Sequence, residues 1–94
     1  MNNKIEILNM RTLDAAGALK AFCDIALFDL ITVKGLKIVL GRHGLFLDMP
    51  NKKSKDGKWY KQVILTDNNF KKAVYNSAIE HYSNLLSEKS EEPE

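Results

Sequence analysis

The stretch Leu19-Lys20-Ala21-Phe22-Cys23-Asp24-Ile25-Ala26-Leu27 decides the fold class. Leu19, Ala21, Cys23, Ile25 and Leu27 share one parity, while Lys20 and Asp24 take the other. Apolar residues at a period of two suit a strand with one face in a core. Phe22, Ala26 and Phe28 make the second face partly apolar, so some of it is expected to be covered as well.

Working outward, Ile5-Glu6-Ile7-Leu8 alternates in the same way and predicts a short first strand, and 11–18, with Asp14 and Gly17, reads as a turn or loop. Beyond Asp29, residues 31–40 resume a β-branched and apolar run with interleaved lysines. Gly41-Arg42-His43-Gly44 is a glycine-bracketed hairpin turn, and Leu45-Phe46-Leu47-Asp48-Met49 is the returning strand. Pro50 stops it because proline has no N–H for a ladder. Residues 51–58 hold no apolar side chain and include the turn dipeptide Asp56-Gly57; strand character returns over 59–65. Short connections between these strands imply antiparallel pairing.

Thr66 or Asp67 is placed to cap a helix, since a side-chain oxygen there can accept from a free N–H of the first turn. From 69 to 86 the period changes to that of a helix. Phe70, Val74, Ala78, Tyr82 and Leu85 form one stripe, broadened by Ala73, Ile79 and Leu86. Strands followed by one long helix predict an α+β fold: a small antiparallel sheet of about four to five strands with a C-terminal amphipathic helix. One domain over 1–87 and an acidic tail over 88–94, expected to be disordered, account for the 94 residues. A core this small makes a homodimer an expected state.

The formal net charge is +2, but Glu88, Glu91, Glu92 and Glu94 against Lys89 alone give the tail −3. Residues 1–87 therefore carry +5, a field that favours anionic partners. Cys23 is the sole cysteine and lies among apolar residues, which excludes an internal disulfide and a thiolate metal cluster within the chain. The first residues lack the apolar run of a secretory signal, and no run of about eighteen apolar residues spans a membrane. A cytoplasmic location is expected, with no membrane partner.

Gly44-Leu45-Phe46-Leu47-Asp48-Met49-Pro50, followed by a lysine-rich Asp-Gly loop, resembles the hallmark of the SpoVG family. That hallmark runs Gly-Leu-Phe-Val-x-Met-Pro-Ser-Lys-Arg-x-x-Asp-Gly. Val33-Lys34-Gly35-Leu36-Lys37-Ile38-Val39 is similar to the family's preceding strand, and 70–82 to its amphipathic helix, so the resemblance covers roughly residues 4–85. It implies a dimeric sheet-and-helix protein that binds DNA, in some members RNA, with regulatory roles in gene expression, septation and sporulation. Departures from the pattern fall where they bear on the site. Lys52-Lys53 replaces Lys-Arg, which keeps the attraction to phosphate without arginine's bidentate fork. Lys55 stands where proline is frequent, and Val63-Ile64-Leu65 where His-Pro-Ile is usual.

The candidate nucleic-acid contacts are Lys52, Lys53, Ser54, Lys55, Lys58 and Lys61, five lysines within ten residues around the single acid Asp56. Ser54 is a potential donor to a phosphate oxygen, as is the backbone N–H of Gly57. Trp59 and Tyr60 follow; at most one is expected to face the core, leaving the other to stack on an unpaired base, although Trp59 also suits packing at the base of the loop. Lys71 and Lys72 lie in the first helical turns, against the helix dipole, and Arg42 at the other turn is a secondary candidate. His43 and His81 are 38 positions apart with no metal-ligand or triad spacing, and 41–44 is no phosphate loop or dinucleotide fingerprint. No catalytic residue, metal or cofactor is therefore expected, and the chain reads as a non-enzyme. A protein-interaction module working through a strand edge or the helix is the alternative.

Overall fold

A computed structural model describes residues 4–13 and 17–90, with side chains through Glu88. Four strands, β1 (Ile5–Thr12), β2 (Leu19–Leu27), β3 (Ile31–Gly41) and β4 (Gly44–Asp48), form one antiparallel sheet in sequence order. A separate hairpin pairs β5 (Asn51–Lys53) with β6 (Trp59–Lys61), and the helix α1 (Asn68–Ser90) closes the chain. The fold is α+β, as the pattern predicts.

The decisive alternation holds. Ala21, Cys23, Ile25 and Leu27 are all buried, and α1 lays Phe70, Val74, Ala78 and Tyr82 against that side of the sheet. Ile25, Leu36 and Ile38 from β2 and β3 are fully enclosed beneath it.

The first strand is longer than its alternation suggests. Residues 11 and 12 continue β1 rather than starting a loop, and 14–16 lie outside the described residues. A bulge between Leu8 and Arg11 explains the difference, with Asn9 held at φ 53°. The extra residue shifts the core-facing parity, so Ile5 and Ile7 are followed inward by Met10. A bulge at Gly35 (φ 85°) does the same in β3, moving burial from Val33 to Leu36 and Ile38. At the β3–β4 turn, a Cβ on Gly41 would stand 2.9 Å from the edge of the half-exposed Phe46 ring, so a larger residue there requires that ring to shift.

Two further differences concern the C-terminal half. Strand pairing ends at Lys61, and 62–67 is irregular, although Val63 and Leu65 still pack on the core. The helix runs to Ser90, so the start of the stretch that composition assigns to a tail is helical; 91–94 lie outside the described residues. Of the two possible caps, Asp67 acts: the Phe70 N–H donates to Asp67 Oδ2 at 2.8 Å.

Candidate nucleic-acid interface

Residues 51–58, apolar-free in sequence, are built into a hairpin rather than an open loop. Asn51 faces Lys61, Lys52 faces Tyr60, and Lys53 faces Trp59. Strand alternation therefore sets Lys53, Trp59 and Lys61 on one face, and Lys52 and Tyr60 on the other. All five side chains are exposed. Trp59 is 63% exposed and Tyr60 49%, so neither enters the core, and Trp59 does not pack at the hairpin's base.

The tip is organised around Asp56. Its carboxylate accepts from the Ser54 hydroxyl, from the Lys58 N–H at 2.9 Å and from the Tyr60 hydroxyl at 3.0 Å. The Ser54 bond, followed by the Lys58 N–H, holds the Asp56 carboxyl below its ordinary value. The Gly57 N–H donates to the Ser54 carbonyl at 3.0 Å and the Ser54 N–H to the Lys58 carbonyl at 2.9 Å. Gly57 itself stands at φ 84°, where glycine costs least. Ser54 and Gly57, proposed from sequence as phosphate donors, thus spend those donors inside the hairpin. The loop's single acid is engaged there too, and the ammonium groups of Lys52, Lys53, Lys55, Lys58 and Lys61 make no ion pair with it.

Two concave surfaces gather most of the candidate residues. A shallow basin of about 360 Å³ brings together Lys52, Lys53, Ser54, Lys55 and Tyr60. A larger half-open groove of about 600 Å³ lies between 62–67, β4 and the first half of α1, and it joins Lys61 to Lys71 and Lys72. Arg42 lies exposed at the β3–β4 turn and lines neither surface. The sequence did not single out the groove residues Phe46, Ile64 and Asn68: Ile64 lies in an irregular segment with no periodic signal, and Phe46 on β4 and Asn68 on α1 meet it only through tertiary packing. Among the described residues, no cluster of three His, Cys, Asp or Glu is placed to hold a metal ion. No described helix is long and apolar enough to cross a membrane.

Residues 3–84 match the model of the SpoVG family. The chain belongs to the SpoVG family. Among its relatives is a septation protein SpoVG of Symbiobacterium thermophilum, 33% identical over 79 residues that cover 84% of this chain and 56% of that one. One of the same name in Staphylococcus carnosus is 34% identical over 56 residues, 60% of this chain and 52% of the relative. The chain thus spans about half the length of these SpoVG proteins. The Agathobacter rectalis septation protein SpoVG is 27% identical over 79 residues and is matched over 91% of its length.

Proposed function

We propose that this SpoVG protein is a non-enzymatic, cytoplasmic, dimeric nucleic-acid-binding regulator, acting on DNA or RNA in the control of septation or gene expression. What supports the reading above all is the β5–β6 hairpin, whose five exposed lysines surround an acid already satisfied by Ser54, Lys58 and Tyr60. The acid cannot quench the local field by swinging between ammonium groups without giving up three hydrogen bonds. Lys52, Lys53, Lys55 and Lys58 supply phosphate contacts, with Lys61, Lys71 and Lys72 extending the track. Trp59, with Lys53 opposite and Lys61 two positions on, offers an unpaired base a ring flanked by cations. Tyr60 is the less exposed of the two rings, with its hydroxyl held by Asp56.

About four phosphates neutralised per subunit give a dimer a slope of log affinity against log salt of about −7 on duplex DNA. Fluorescence anisotropy with labelled duplex DNA, single-stranded DNA and RNA at several salt concentrations tests this. The Lys52→Glu, Lys53→Glu double variant is expected to bind more weakly to every polymer and with a flatter slope. A slope unchanged by the double variant removes the hairpin from the site.

A further inference from the structure

Resting on this nucleic-acid reading, we infer that the lysine-rimmed groove beside the hairpin seats an unstacked base of a single strand, making the protein prefer single-stranded over duplex nucleic acid. The groove's floor is apolar, formed by Leu47, Met49, Val63 and Leu65. Two more apolar side chains reach it while open to water: Ile64 at 67% exposure and Phe46 at 46%. Its charged lining is Lys61, Lys71 and Lys72, with no carboxylate. Three cations repel one another around a partly buried apolar floor flanked by the exposed Ile64 and Phe46, so the groove fits a ligand with a flat apolar face and a closely attached anion. A nucleotide has that composition.

Continuity with the hairpin narrows the choice. Lys61 ends β6, pairs in register with Asn51, and also lines the groove. A strand whose phosphates follow Lys53, on the same hairpin face as Lys61, reaches the groove at Lys61 and leaves past Lys71 and Lys72. Asn68 adds an amide that both donates and accepts, suited to the edge of a base. The Tyr75 hydroxyl does not compete for that edge, because it donates to the Leu45 carbonyl at 2.7 Å. In a duplex the bases are paired and stacked, and seating one costs the energy of unstacking it; a single strand pays far less.

The test compares labelled oligothymidine with a duplex of equal length, using the wild type, Ile64→Ser and Phe46→Ala, neither of which alters charge. The wild type is expected to bind the single strand more tightly. Phe46→Ala loses roughly 5- to 100-fold on the single strand, Ile64→Ser a smaller factor because no ring is removed, and both keep their duplex affinity. Circular dichroism and light scattering accompany each titration; should Phe46→Ala unfold, Ile64→Ser, on an exposed side chain, carries the comparison. A single-strand preference that survives both variants, or equal losses on both polymers, overturns the groove as a base seat. A variant that turns a dimer into monomers reassigns the groove to contact between copies and also overturns it. A wild type that binds neither polymer overturns the nucleic-acid reading itself. If only the Lys52→Glu, Lys53→Glu variant loses binding, the hairpin stands and the groove falls.

Discussion

Asp24 has a role that its position among charged residues does not suggest. Its carboxylate accepts from Asn9 Nδ2 at 3.1 Å and from the Gly35 N–H at 3.0 Å, so it staples the β1 bulge to the β3 bulge across β2. The Asn9 bond, then the Gly35 N–H, holds its carboxyl below the ordinary value. Asp24→Ala is expected to lower unfolding free energy by about 1 kcal/mol, measured by urea denaturation, because it removes two solvent-exposed hydrogen bonds that hold the bulges setting the core register. Its neighbour Cys23 faces the opposite way, buried in the core, and desolvation pushes its thiol up to about 11. The thiol is therefore expected to resist a disulfide-exchange reagent in the native protein and to react fully in urea. Fast labelling under native conditions would contradict that burial.

Among the elements, the β5–β6 hairpin and α1 stand at opposite ends of intrinsic stability. A two-stranded hairpin alone is marginal in water, so the Asp56 bonds matter to this one. Asp56→Ala is expected to speed hydrogen exchange at the Ser54 and Gly57 amides, while the four-stranded sheet keeps its protection. It should also weaken nucleic-acid binding despite raising net positive charge, because a loosened hairpin must be ordered on binding. Tighter binding would mean that charge outweighs preorganisation. The helix is held by its apolar stripe, by the Asp67 cap and by the Tyr75 hydroxyl on the edge strand β4. Asp67→Ala and Tyr75→Phe are each expected to cost about 1 kcal/mol in urea titrations. The Phe28 ring stacks on Phe70 with centroids 5.5 Å apart, tying the β2–β3 turn to the first turns of α1.

At the scale of the whole molecule, the perturbed groups set the pH window. Asp24 and Asp56 are shifted below 3.8 in the folded protein, so their contribution is complete above that value and is lost as pH falls through the lowered ones. Lys4, raised above 10.5 by its bond and ion pair with Asp29, contributes fully below 10.5 and loses that contribution as pH rises through its raised value. Stability is thus expected to be flat through neutrality and to fall on the acid side below about 4, with a shallower fall in Asp24→Ala. Urea midpoints across pH check this. Both β1 and β4 have one unpaired edge in the four-stranded sheet, which leaves room for a second copy to add strands. A dimer is expected by light scattering at micromolar concentration; a mass near 10.7 kDa would count against it.

Read from sequence alone, the buried parity of β2, the turn at Arg42 and His43, the stop at Pro50, a cap at Thr66 or Asp67 and the stripe from Phe70 to Tyr82 were all legible, the structure choosing Asp67 for the cap. Each is dictated by local periodicity or by the chemistry of one side chain. The lysine cluster was legible as composition, and so was its resemblance to the family. The bulges at Asn9 and Gly35 were not, because one added residue reverses the parity from which a strand is read, and Asp24 stabilises them from another strand. Nor was the inward use of the Ser54 and Gly57 donors, which depends on the backbone closing around Asp56. The meeting of Lys61 with Lys71 and Lys72 was decided only in three dimensions. It requires an irregular segment, an edge strand and a helix to converge, and no one-dimensional spacing encodes that convergence.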